Sequence, residues 1–245
     1  MCTQLDRPKR VGMSNSGRYL AMPTSPHQIF LFLVLSIEPF PISIKAFCIA
    51  SRCAAVFSSC FDAETGPISL AGLFGDYPQL IVYHFMFHPD WNEGCKSCSF
   101  WADGYDRLIP HLNTRNVAFA AVSRAPMAKL LAYRQRMGWS FQWVSASQNS
   151  FNSDFHVSFT AEELAAGTAF YNYRTGASVG EEMPGVSVFY RATDGAIFHT
   201  YSSYARGLDT LNSAYQYLDI VPLGRDEDNL ASSMQWLKRH DEYTK

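Results

Sequence analysis

Hydrophobic residues fall along this chain in short blocks of differing period, separated by glycine, proline and charged residues. Leu80 to Phe87 (LIVYHFMF) is an almost unbroken apolar and aromatic run of strand length, the pattern of a central strand covered on both faces. Beyond it, Trp101, Ala102, Tyr105, Leu108, Ile109 and Leu112 recur at helical spacing, with Asp103, Asp106 and Arg107 on the opposite side. Pro110 is expected to kink or end that helix. Val117 to Ser123 (VAFAAVS) reads as a second strand. Pro126 then opens a helix carrying Met127, Leu130, Leu131 and Met137, and Gly138 closes it.

A short strand at Phe141 to Val144 follows, and Thr160 with Glu163 three residues on is a capping-box signature for a further helix. Residues 145–159 and 167–182 read as loops. Val186 to Tyr190 and Ala196 to Tyr201 alternate about Asp194-Gly195, a dipeptide that accepts the positive φ of a tight turn, and so predict an antiparallel hairpin. A last helix presents Leu208, Leu211, Tyr215 and Leu218, after which Gly224 to Asp228 reads as charged and exposed. The order β-α-β-α-(β, helix)-β-β-α predicts an α/β fold: a mixed central sheet with helices on both faces, and an insertion between a βαβ half and a C-terminal ββα half.

Composition narrows this picture. A chain of 245 residues, 47% of them hydrophobic, fills a substantial core without a disulfide scaffold. A formal charge of −2 provides neither a nucleic-acid footprint nor a polybasic membrane patch, so the expected partners are proteins or small molecules. Residues 1–60 differ in character, with six basic residues against two acidic ones. Their apolar run Ile29 to Ile37 stops at Glu38-Pro39, too short to span a bilayer and too far from Met1 for an ordinary signal peptide, so a buried or adhesive segment is expected. The chain therefore divides into an atypical N-terminal segment, 1–60, and a domain, 61–245.

Six cysteines are too few to staple a secreted domain of this length, which points to a reducing, cytoplasmic compartment. One pair, Cys95 and Cys98, has a spacing that suggests chemistry. Thiols at i and i+3 at a helix start share one face and are close enough for a disulfide. Backbone N–H groups and the positive end of the helix stabilise a thiolate there, bringing its pKa to about 7 instead of about 8.5. Cys95 is then the nucleophile, Cys98 resolves the mixed disulfide, and Lys96 adds a positive charge nearby. Two other readings stay open on these residues. The thiols could be reduced and merely packed, or could supply half of a zinc shell completed from His84, His88, His111 or His199, although no second CxxC or paired-histidine motif accompanies them. Among the aromatic residues around the pair, His84 reads as a core histidine and Trp91 as a candidate for positioning a substrate.

The segments QLIVYHFMFHPDWNEGCKSCSFWADGYD, AVSRAPMAKLLAYRQRMGWSFQWVS, YNYR, EMPGVSVFYR and HTYSSYARGLDTLNSAYQYLDIVPLGRDE resemble, in order, the thioredoxin-like domain-of-unknown-function family 899 from about Phe61 to Tyr243. That resemblance implies a thioredoxin-like fold, with Cys95 and Cys98 at the place of the thioredoxin dithiol and Pro184 at that of its cis-proline. The backbone beside Met183 and Pro184 would then hold an extended substrate. The chain departs from the family before Phe61. It departs from thioredoxin in having Gly94 where a tryptophan usually precedes the first cysteine, and in a longer loop, HPDWNEG. The peroxiredoxin pattern asks for a proline and a threonine where this chain has His88 and Asn92, which takes support from peroxidase activity. The expected function is thiol-disulfide exchange on a protein or small-molecule disulfide, with no cofactor and no resident metal. The alternative is a non-catalytic thioredoxin-fold binding module whose thiols are structural or hold a metal.

Overall fold

The computed structural model describes residues 59–176 and 179–244, so the run Ile29 to Ile37 lies outside the described residues. Strands β1 (Cys60–Ala63), β2 (Gly66–Ser69), β3 (Gln79–His84), β4 (Val117–Ser123) and β5 (Gln142–Ser145) precede a small ribbon, β6 (Phe170–Tyr171) with β7 (Arg174–Thr175). Strands β8 (Gly185–Arg191) and β9 (Ile197–Tyr204) complete the main sheet, whose order is β2-β1-β5-β4-β3-β8-β9. The centre is parallel, β5-β4-β3, and both flanks are antiparallel. This is the mixed thioredoxin-like sheet that the order of elements predicts, widened at one edge by the β1-β2 hairpin.

The helices are α1 (Leu70–Leu73), α2 (Lys96–Tyr105), α3 (Ile109–Asn113), α4 (Met127–Met137), α5 (Phe151–Asp154), α6 (Ala161–Ala166) and α7 (Ser213–Leu218). Because side chains alternate along a strand, β3 feeds two cores at once. Leu80 and Val82 join Leu70, Leu73, Phe151 and Phe155 on the side of α1 and α5. Tyr83 and Phe85 join Trp101, Tyr105, Leu130, Tyr133 and Tyr215 on the side of α2, α4 and α7. Helices therefore cover both faces.

Several boundaries follow local chemistry. Pro126 caps α4, and Gly138 ends it at φ 65°. Thr160 and Glu163 form the reciprocal capping box of α6. Gly195 turns the β8-β9 hairpin at φ 87°. Other expectations are corrected. The helix after Cys98 stops at Tyr105, and Pro110 sits in the first turn of a separate α3, where its missing N–H costs nothing. The final helix is split into a 3-10 stretch, Ala205–Leu211, and α7, which Asn212 caps by accepting from the Tyr215 N–H. The expected loops hold α5 and the β6-β7 ribbon, and β1 begins at Cys60, inside the segment assigned to the N-terminal region.

The region Gly224 to Asp228 is not simply exposed. Arg225 lies 4.0 Å over the Tyr215 ring and pairs with Asp209 and Asp219. The Glu227 carboxylate accepts from Tyr215, Trp236 and the Met234 N–H. These contacts turn residues 225–243 into a strap that runs back over α2. Among the described residues, no helix is long and apolar enough to cross a membrane.

Candidate dithiol site

The end of β3 sets the place of the sulfur pair. His84 is the last residue paired with both β4 and β8, and beyond it Phe85 still bonds Val122 while Ser123 donates to the Phe85 carbonyl. The chain then turns outward through residues 88–94, and Lys129 of α4 donates to the carbonyls of Pro89 and Trp91. It returns where the Cys95 N–H donates to Met86, 3.1 Å. The Met86 N–H in turn approaches the Cys98 Sγ at 3.4 Å. This exchange between residues 86, 95 and 98 fixes the N-terminus of α2 against the strand end.

Gly94 explains the missing tryptophan. A Cβ there would stand 2.8 Å from both the Phe85 and Tyr133 rings, which are themselves buried in the core. Phe85 and the tyrosine of α4 fill the space that a side chain before Cys95 would need.

Cys95 is the N-cap of α2 and half-buried, whereas Cys98, one turn on, is 1% exposed; both are free thiols. Donation from the Cys98 thiol, from the backbone N–H groups of Cys98 and Ser97, and from the Ser97 hydroxyl brings the Cys95 pKa from 9.0 down to about 6, against the cost of desolvation. Burial, and then the neighbouring Cys95, push Cys98 well up. Cys95 is thus the more acidic thiol and Cys98 the less acidic one, the order that exchange followed by resolution requires.

Tyr83 of β3 faces this pair. Its hydroxyl is buried against the Cys98 thiol, and the Tyr105 hydroxyl lies buried without a hydrogen-bond partner. Sequence reading missed it, because a tyrosine in an apolar strand carries no signal beyond core packing.

Pro184 comes to the sulfur pair from β8 and, with Tyr83, Cys98 and Met234, walls a cavity of about 130 Å³. The backbone around it is partly committed: the Met183 N–H donates to Val157, and the Pro184 carbonyl accepts from Tyr171. Trp91 packs on the same core from the outward loop but does not wall the cavity. The structure thus puts Cys98 and Pro184 in one cavity wall, which neither Cys95 nor Trp91 lines. The histidines are dispersed in function: His84 bonds Asn152 and Ser187, His199 bonds Tyr201 and Ser202, and His88 lies near Asp90 and Glu181. Among the described residues, no group of three or more His, Cys, Asp or Glu stands together as a metal cluster would. A larger apolar groove of about 620 Å³ lies between α3 and α7, and neither cysteine lines it.

The sequence profile of the family described as a bacterial protein of unknown function, DUF899, matches residues 57–243. The chain belongs to this family. The DUF899 match starts just ahead of β1 and so takes in the whole described sheet. No curated protein sequence matches. Among solved structures, the chain is similar to a variant of Xanthomonas campestris peroxiredoxin Q, at 12% identity over 68% of this chain and 93% of that one, with a TM-score of 0.47. It is also similar to the peroxidoxin BcpB from Mycobacterium tuberculosis, at 12% identity over 65% and 92%, with a TM-score of 0.43. A third similar structure is the mitochondrial 2-Cys peroxiredoxin from Plasmodium falciparum, at 10% over 67% and 90%, with a TM-score of 0.40.

Proposed function

We propose that this DUF899 protein is a thiol-disulfide oxidoreductase of the reducing cytoplasm, acting on protein or small-molecule disulfides. The observation that carries the reading is the placement of the dithiol: a half-buried Cys95 at the N-cap of α2, beside donors that favour its thiolate, with Cys98 buried one turn behind it. The Cys95 thiolate attacks a substrate disulfide, one substrate sulfur leaves as a thiol, and a mixed disulfide remains on Cys95. Cys98 then loses its proton and attacks the Cys95 sulfur. The second substrate thiol is released, and the protein holds a Cys95–Cys98 disulfide, having given up two electrons. A dithiol reductant restores the starting state.

The experiment is a pH series of Cys95 alkylation by iodoacetamide, paired with equilibration of the protein in dithiothreitol redox buffers. The expected results are an alkylation midpoint at about pH 6, absent in Cys95→Ser, and reversible formation of one disulfide joining Cys95 and Cys98. A midpoint near 9, or no disulfide in oxidising buffer, would sink the reading.

A further inference from the structure

The strap of residues 225–243 is tied down around the dithiol from several sides. Lys96, next to Cys95, donates to the Gln235 carbonyl. Arg239 donates to the Gly94 carbonyl and the Tyr133 hydroxyl, at 2.9 and 2.8 Å, and pairs with Glu93. Arg136 of α4 holds Asp241 and Glu242, and His240 meets Asp103 of α2. Trp236 packs edge-on to Phe100. The ground beside the two cysteines, where a folded partner would lay its own chain, is therefore occupied by this chain's own C-terminal residues.

What the strap leaves is a small chamber. Ser233 and Met234 of the strap line the 130 Å³ cavity together with Tyr83, Cys98 and Pro184. A cavity of about 150 Å³ takes up benzene, so this one accommodates a fragment of that order and nothing the size of a protein loop. Its walls include Trp101, Leu208 and Arg206, whose guanidinium is paired with Asp209 at 2.7 Å. Tyr83, a residue 1% exposed, brings its hydroxyl against the Cys98 thiol at the inner wall.

We propose that the dithiol serves compact, uncharged low-molecular-weight disulfides, one half of the substrate entering the chamber between Tyr83, Cys98, Pro184 and Met234, while the strap excludes protein disulfides. This rests on the redox reading of Cys95 and narrows its substrate class. The Cys95 thiolate bonds to the outer substrate sulfur, the substrate S–S bond breaks, and the half in the chamber leaves as a thiol with the proton of Cys98. The resulting Cys98 thiolate, beside the Tyr83 hydroxyl, displaces the remaining half from Cys95 as a thiolate. The substrate gains the two electrons that the dithiol gives up, and an external dithiol reductant recycles the protein.

The test traps the first step. Purified full-length Cys98→Ser protein is mixed with bis(2-hydroxyethyl) disulfide or with insulin, and adducts on Cys95 are timed by intact mass. Each rate is divided by the rate of the same disulfide with free 2-mercaptoethanol. The expected result is a normalised preference of tenfold or more for the small disulfide. Two blocking variants, Met234→Trp within the chamber and Ser233→Phe on its exposed rim, slow the small disulfide about tenfold relative to Cys95 alkylation. Releasing the strap with Arg136→Gln and Arg239→Gln together raises the insulin rate about tenfold. Equal or faster normalised reaction of insulin with the full chain, or blocking variants that fold and react undiminished, would overturn the size restriction and leave Cys95 as a redox thiol. No adduct from either disulfide would remove the redox reading, and this inference with it.

Discussion

Tyr83 and His84 are neighbours on β3, point to opposite faces of the sheet, and sit among polar groups built in opposite ways. On the His84 side every donor has its acceptor. The His84 Nδ1–H donates to Asn152 at 3.3 Å, and its Nε2 accepts from Ser187 at 3.0 Å. The Ser187 oxygen accepts from Ser202 at 2.9 Å, and Ser202 accepts from the His199 Nε2–H, which also serves the Tyr201 carbonyl. Because the Tyr201 carbonyl only accepts, His199 Nε2 carries a hydrogen, and both imidazoles are largely withdrawn from water. Burial accordingly lowers His84 from 6.5 to about 4 and also lowers His199. On the Tyr83 side the Tyr83 hydroxyl has only the weak hydrogen-bonding partner Cys98 beside it, and the Tyr105 hydroxyl is unpaired. A saturated buried network rigidifies and specifies the fold, whereas an unsaturated one keeps a debt that a ligand or a changing charge can settle. One strand thus separates a saturated polar cluster from the proposed dithiol site by a single residue.

The largest expected effect tests that division directly. Cys95→Ser lowers disulfide exchange with a small disulfide by a hundredfold or more, while His84→Gln leaves the rate within twofold when both are assayed by thiol release. A His84 variant that lost exchange while remaining folded would break the comparison.

Stability reverses the ranking. His84→Ala strands Asn152 and Ser187 and opens a cavity beside Phe151 and Phe155, so urea unfolding is expected to show a loss of about 2–4 kcal/mol. Cys95→Ser, at a half-buried helix start, is expected to cost less than about 1 kcal/mol in the same experiment.

The pH dependence carries a defined sign. The folded-state pKa of His84 lies below its unfolded value, so its contribution to stability is complete above pH 6.5 and is lost as the pH falls from 6.5 to about 4. The amount at stake is on the order of 3 kcal/mol. His84→Gln should flatten the stability profile in that window, and an unchanged profile would mean that another group supplies the acid sensitivity.

The smallest effect sharpens the Tyr83 side. Tyr83→Phe removes a hydroxyl whose partner is the weakly bonding Cys98 thiol, so stability changes by less than about 1 kcal/mol. Release of the second substrate thiol, which depends on generating the Cys98 thiolate, slows severalfold in rapid-quench measurements. Equal slowing of the first thiol release would place Tyr83 in attack instead of resolution.

Much of the scaffold was legible from local text. Val117–Ser123 is bounded as its apolar run suggests, α4 begins and ends at Pro126 and Gly138, and Asp194-Gly195 turns the hairpin. These features are written in adjacent residues, because turns, caps and strand periodicity are short-range effects. The cysteine pair was legible for the same reason. The strap, the commitment of the Met183 N–H to Val157, and the conflict between a Cβ at Gly94 and two rings were not, since each depends on residues brought together by packing.

By itself the amino-acid sequence determined which segments become strands and helices, and that two thiols stand at the start of α2, because periodicity and the chemistry of helix ends act over a few residues. Only the tertiary structure decided what those thiols face. Lys96 meets Gln235, Gly94 meets Arg239, and Tyr83 meets Cys98 across stretches of chain that carry no mutual pattern. Such contacts are set by how the two cores fill their volume, and that is a property of the packed chain as a whole.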